Sequence, residues 1–222
     1  MEDDSFDADS VLHALATTRS VRRRLDLARP VEPEVIEACI DVAAQAPTGL
    51  QRESWRFVVV TDDEPKRALG ALYRSAFDGM LESWRELPEA AGLTEPPTLR
   101  PGYRELADRL HEMPALILVC SLGEPAEDRA GQVAFYGSVL PAAWSLMVAL
   151  RARGIGSTWT SLHLRETEAA AAALGIPAGV TQTVLLPIAY TKGARLRPAA
   201  RKPAREVTYW NAWGKTKSGD GL

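Results

Sequence analysis

The run from Ala115 to Ser121 (ALILVCS) is the strongest constraint on what this chain can fold into. It is apolar for six consecutive residues and lacks the alternation of a strand with one wet face. It is short for a core helix, so it reads as a strand buried on both sides. Trp55 to Thr61 (WRFVVVT), rich in β-branched and aromatic residues, reads the same way. Two more strands are expected over Ser157–Leu162 and Val184–Tyr190. A helix at about 10–18 presents Val11, Leu12 and Leu15 on one face, with Asp9 or Ser10 as its cap. Another, about 33–46, opens at Pro33 and carries Val35, Ile36, Cys39, Ile40 and Ala43 at helical spacing. Glu64 to about Glu86 has Leu69, Leu72, Tyr73, Phe77, Met80, Leu81 and Trp84 along one side. Further helices are expected over Arg104–Glu112, about 132–152 and Glu166–Leu174. Gly137 and Pro141 imply a kink or local irregularity in the second of these. Alternating strands and helices favour a sheet covered on both faces.

Residues 1–8 read as a disordered acidic tail, 9–214 as a single domain and 215–222 as a flexible tail. The stretch 192–214 is basic, then aromatic (Tyr209, Trp210, Trp213), with no core of its own. Such a segment is expected to lie against something else, a second subunit being one candidate.

Several kinds of chemistry find no support. Lys and Arg total 26 against 29 acidic residues, a net charge of −3, so no nucleic-acid partner is expected. Cys39 and Cys120 lie in apolar runs, which suits free thiols in a reducing, cytoplasmic setting. The acidic start shows no secretory h-region, and no uninterrupted apolar run approaches membrane-spanning length, so no membrane association is expected. There is no HExxH, CxxC, Walker loop, GxGxxG after a strand or GxSxG elbow. His13, His111 and His163 are far apart in sequence, so no metal site is expected. A chain with neither an evident nucleophile nor an evident metal would take its chemistry from an organic cofactor.

Four segments carry a positive signal, each with a plain alternative. Arg19-Ser20-Val21-Arg22-Arg23-Arg24 can grip a phosphate through guanidinium forks and a hydroxyl, or be a solvated basic surface. Ala46-Pro47-Thr48-Gly49-Leu50-Gln51-Arg52-Glu53-Ser54-Trp55 can face a polar planar ligand, or be a turn. Gly154-Ile155-Gly156-Ser157-Thr158-Trp159-Thr160-Ser161-Leu162 can edge a ligand, or be a helix stop and a core strand. Arg197 to Pro203 is a second basic cluster, or a charged loop.

Their order is R-S-x-R, A-P-[ST]-G before a strand, G-x-G-S-x-W, then R-K-P-x-x-x-V-x-x-W-N. In that order they resemble the flavin-dependent nitroreductase family over about residues 10–214. The resemblance implies an α+β three-layer sandwich: a central mixed or antiparallel sheet flanked by helices, with the C-terminal segment exchanged between subunits. It implies a homodimer binding FMN at the interface, and electron transfer from NAD(P)H to a small nitroaromatic, quinone or similar acceptor by ping-pong kinetics. The flavin carries the chemistry, so no catalytic side chain is implied. Arg19, Ser20 and Arg22 match the contacts to the phosphate, ribityl and pyrimidine side, and Arg22 is the cation expected to favour reduced flavin. Arg201, with Lys202 second, matches the distal phosphate contact. Pro47, Thr48 and Gly49 match the turn that meets the flavin from the second subunit, and Gln51 stands where Asn is more frequent. Thr160, Ser161 and Leu162 match the isoalloxazine edge. Glu53 stands beside the expected pocket, where it would either repel anionic acceptors or simply point to solvent. Residues 62–114 are the variable lid, where Trp84 and Tyr103 could wall an acceptor pocket. Tyr73 and Phe77 share a stripe with Leu69, Leu72 and Met80 and read as core. Other readings within the resemblance are a flavin store or sensor without turnover, and a branch devoted to flavin destruction or dehalogenation.

Overall fold

A computed structural model describes residues 7–49, 53–85 and 102–217, excluding the side chains of Trp84 and Arg85. These residues separate into two units, divided after Thr17 and after Arg195.

The larger unit, residues 18–195, is built around an antiparallel sheet. Its strands are β1 (Leu25–Asp26), β2 (Trp55–Val60), β3 (Ala115–Leu122), β4 (Ile155–Ser157) and β5 (Val180–Thr191). The order is β1-β5-β3-β2, and β4 also pairs with β5, through Ile155↔Tyr190 to Ser157↔Ile188. In β3 the side chains divide between two cores, as a period of two requires. Ala115, Ile117 and Val119 face one layer, formed by α2 (Pro33–Ala43) and α5 (Arg129–Ala152), where they meet Ile36, Cys39, Leu146 and Leu150. Leu116, Leu118 and Cys120 face the other, with Leu69, Tyr73 and Phe77 of α3 (Asp63–Arg85) and Leu106 of α4 (Tyr103–Arg109). Ala170 of α6 (Thr167–Leu174) completes that layer. The three-layer α+β sandwich expected from the sequence is therefore present, and its sheet is antiparallel rather than mixed.

Some boundaries differ from the sequence reading. The strand expected over Ser157–Leu162 is β4, which begins at Ile155 and ends at Ser157; a 3-10 turn occupies Leu162–Glu166. β4 ends at Ser157 because Thr158 faces Pro187, which accepts the Thr158 N–H (3.2 Å) but has no N–H to return; pairing with β5 resumes as a single bridge at Thr160–Leu185. β5 starts before Val184, at Val180. Its polar start is accommodated because the Thr183 hydroxyl donates to Val119 O (2.7 Å) and Gln182 Nε2 donates to Thr167 O (2.8 Å). Helix α5 stays helical through Gly137 and Pro141. Among the described residues it alone has the length and apolarity of a membrane span, and Val139, Ala142, Leu146 and Leu150 on it are fully buried in the core.

The smaller unit holds α1 (Ala8–Thr17) and the segment from Leu196, with α7 at Ala204–Val207. The carboxylate of Asp7, rather than Asp9 or Ser10, caps α1 by accepting from the N–H groups of Asp9 (3.1 Å) and Ser10 (3.4 Å). Helix α1 therefore starts at Ala8, inside the expected tail. Near the C-terminus the Tyr209 and Trp213 rings lie 4.8 Å apart and the Trp210 N–H donates to Lys215 O (2.7 Å). Trp210 and Trp213 remain 50% and 90% exposed.

Candidate functional site

Two of the four segments, 139 residues apart, are joined by a short ladder of hydrogen bonds. The Val21 N–H donates to Ser157 O (2.8 Å), and the Thr158 hydroxyl donates to Val21 O (2.8 Å). The Trp159 N–H donates to Ser20 Oγ (3.1 Å). These bonds hold the arginine segment against the residues that follow β4. The two glycines of G-x-G-S serve this approach. Gly154 ends α5 with φ +77°, which a side chain would strain. A Cβ on Gly156 would sit 3.0 Å from Leu25 Cδ2, 3.0 Å from Thr191 Cγ2 and 3.1 Å from Val21 Cβ. Only a bare backbone lets the arginine segment lie this close to the sheet.

The arginines of that segment part company. Arg19 is exposed, and Arg22 is half-buried with its guanidinium stacked 4.0 Å from the centroid of the Tyr103 ring. Arg22 Nε is buried and has no hydrogen-bond partner among the described residues. Arg23 pairs with Glu105 (3.7 Å), and Arg24, at φ +57°, donates weakly to Gly193 O (3.4 Å). The basic run is thus partly a salt-bridged surface, as its plain reading held, and partly an inward donor.

Thr160 is fixed from both sides of its backbone. Its N–H donates to Leu185 O (3.1 Å) and its carbonyl accepts from the Leu185 N–H (2.9 Å). Its hydroxyl lies 3.1 Å from the Tyr73 phenol in a hydrogen bond. Tyr73 is 4% exposed, and burial raises its pKa, opposed by the Thr160 hydrogen bond and the Arg22 charge. The helical stripe identified Tyr73 as core, and its ring is; the polar tip needed a partner, and that partner is a candidate site residue. The Ser161 N–H has no partner among the described residues, while Ser161 O accepts from the Leu164 N–H (3.0 Å). Leu162 is half-buried against the α3 layer. His163, next in line, is fully buried with both ring nitrogens unpartnered among the described residues, and burial lowers its pKa to about 4.

Arg22, Ser20, Thr160 and Tyr103 are therefore brought into one neighbourhood through these contacts. The turn at Pro47, Thr48 and Gly49 rests on α5, where the Gly49 N–H donates to Ser138 Oγ (3.1 Å). Glu53 is exposed just before β2, its carbonyl accepting from Arg56 Nη1 (3.0 Å). Arg201 and Lys202 belong to the smaller unit, where both are exposed and Arg201 Nη1 donates to Ala200 O (3.2 Å). Gln51 and the side chain of Trp84 lie outside the described residues.

Comparison with known proteins gives a consistent result. The profile described as the Nitroreductase family matches residues 15–190. The chain is 28% identical over 206 residues to the iodotyrosine deiodinase of Thermotoga neapolitana, covering 89% of this chain and 95% of that one. It is 29% identical over 207 residues to the NADH dehydrogenase of Thermus thermophilus, covering 86% and 91%. Among solved structures it resembles the FMN-dependent nitroreductase NfnB of Mycobacterium smegmatis, solved in complex with NADPH. That match has a TM-score of 0.67 and 19% identity, covering 92% of this chain and 99% of the other.

Proposed function

The chain belongs to the Nitroreductase family, and from that premise we propose that it is an FMN-dependent oxidoreductase that takes electrons from NAD(P)H and passes them to a small acceptor such as a nitroaromatic or quinone. The carrying observation is Arg22: a buried guanidinium N–H without a partner among the described residues, in the segment bonded to Trp159 and beside the Tyr73–Thr160 pair. A flavin suits that neighbourhood. Its pyrimidine edge offers acceptors for an unpartnered donor, and its ring system suits a site that includes the face of Tyr103. The M. smegmatis nitroreductase, FMN-dependent and solved with NADPH, supports the same cofactor and co-substrate.

The chemistry FMN supplies when bound is two-electron transfer between a nicotinamide and an acceptor. In this reading Arg22 donates to the pyrimidine edge and stabilises the negative charge that builds there on reduction. Arg19, Ser20 and, from the C-terminal segment, Arg201 and Lys202 hold the phosphate and ribityl chain. Ser20 is also spent on Trp159, so it orients the arginine segment as much as it binds. The Ser161 N–H and the Thr160 hydroxyl serve the other ring edge. Pro47, Thr48 and Gly49, with Gln51, close the site from a second subunit, while Glu53, Trp84 and Tyr103 border the acceptor. A homodimer with exchanged C-terminal segments is part of the proposal. It is supported by exposed Val207, Trp210 and Trp213, and by β2, a terminal strand among the described residues with Val59 39% exposed.

The T. neapolitana relative favours a second reading, reductive dehalogenation of an aromatic amino acid at the same flavin. One experiment tests both. The purified chain, anaerobic and loaded with FMN, is mixed with NADH or NADPH and then with a nitroaromatic, a quinone or 3-iodotyrosine. Bleaching of the flavin band followed by recovery with one acceptor class supports turnover and names the acceptor. Absence of bleaching with either nicotinamide contradicts the first reading.

A further inference from the structure

We infer that Tyr73 is a positioning residue whose buried phenol orients the Thr160 hydroxyl at the edge of the proposed flavin site. The inference rests on the flavin reading above, but its substance is local to this chain.

Tyr73 sits in the middle of α3, in the stripe with Leu69 and Phe77 that packs on Leu116 and Leu118 of β3. Phenylalanine would fill that slot without a hydroxyl to satisfy, and burying a hydroxyl without a partner is costly. The hydroxyl present instead crosses to Thr160 Oγ1 at 3.1 Å. Thr160 is already pinned through its N–H and carbonyl to Leu185, so rotation of its side chain is the freedom that remains. Two groups meet Thr160 Oγ1: the Tyr73 phenol oxygen at 3.1 Å and, at the 3.5 Å limit, the Leu162 N–H, which donates to it. The inference assigns the phenol as donor in that pair, which leaves the Thr160 hydroxyl proton for another acceptor. The N–H of the next residue, Ser161, is also without a partner among the described residues. Burial favours the protonated phenol, which keeps a proton available for that bond. Tyr73 thereby sets the polarity of a hydroxyl it does not itself present to the ligand.

The test compares the FMN-loaded parent with Tyr73→Phe, Thr160→Val and the double variant. Each is titrated against a redox dye of known potential, with the flavin absorption spectrum and melting temperature recorded alongside. Tyr73→Phe is expected to keep FMN and to shift the dye–flavin equilibrium by at least threefold. Thr160→Val should shift it by a similar factor, and the double variant no further than the larger single change, because the two groups act as one unit. A Tyr73→Phe protein that binds FMN with the parent's spectrum and dye equilibrium, changed only in melting temperature, overturns the inference and leaves the flavin reading standing. If Tyr73→Phe does not fold, an unshifted Thr160→Val overturns it equally. A parent that takes up no FMN overturns the flavin reading itself, and this inference with it.

Discussion

Ser20 Oγ accepts the backbone N–H of Trp159 at 3.1 Å, tying an N-terminal arginine segment to the residues that follow β4. Ser20→Ala removes the acceptor and leaves the Trp159 N–H without that partner. A cost of about 1–3 kcal/mol in unfolding free energy is expected from chemical denaturation. FMN affinity should fall along with it, since Arg22 is carried on the same segment. Unchanged stability would mean that solvent replaces Ser20 at no cost.

Gly156→Ala is expected to be worse than its single methyl suggests. The new Cβ would press on Leu25, Thr191 and Val21 at 3.0–3.1 Å, tighter than side chains usually meet. Overpacking of this kind costs about 1–3 kcal/mol. The arginine segment should loosen first, read as faster amide exchange at Val21, whose N–H is bonded to Ser157 O. Parent-like exchange at Val21 would show that the segment tolerates the displacement.

The sheet was legible in the sequence because β3 is apolar on both faces, a pattern that few alternatives satisfy. The residues of α3 were legible because one stripe serves one packed face. β1 was not, since two residues, Leu25 and Asp26, carry no periodic signal and are strand only through Thr191 and Tyr190. The expected strand over 157–162 went astray at Thr158 and Trp159. The Thr158 N–H still bonds Pro187 O of β5, but Pro187 has no N–H to complete the pair, and the Thr158 hydroxyl and Trp159 N–H go to Val21 and Ser20; no local pattern records such long-range partners. The same limit explains Tyr73: spacing places its ring in the core and is silent about where the hydroxyl goes. The resemblance already set Arg22 apart from Arg23 and Arg24, whereas its stacking on Tyr103 and the pairing of Arg23 with Glu105 required the fold.

His163 gives the fold an acid sensitivity. Its pKa is about 4 in the folded chain against 6.5 for an unperturbed imidazole. Between those values the unfolded chain binds a proton that the folded chain refuses. Stability is therefore full above about pH 6.5 and declines as the pH falls toward 4, by roughly 3 kcal/mol in all. Urea midpoints measured at pH 7 and pH 5 should show the decline in the parent, and a shallower one in His163→Leu. Equal slopes in the two proteins would assign the acid sensitivity to other groups.

Light scattering of the FMN-loaded protein should give twice the chain mass of 24.2 kDa. The exposed Trp210 and Trp213 are the reason for the expectation. A stable monomer that holds FMN stoichiometrically would remove the exchanged segment from the account.

The central claim is that the Arg19–Arg22 segment, docked on Ser157–Trp159, is a flavin site with Arg22 as a principal donor. Equilibrium titration of the apoprotein with FMN, followed by flavin fluorescence, tests it most directly. The parent should bind one FMN per chain. Arg22→Ala should weaken binding about 10- to 100-fold, the loss of one charge-assisted hydrogen bond of about 1.5–3 kcal/mol. A parent that binds no FMN, or an Arg22→Ala variant that binds it as tightly as the parent, would contradict the claim.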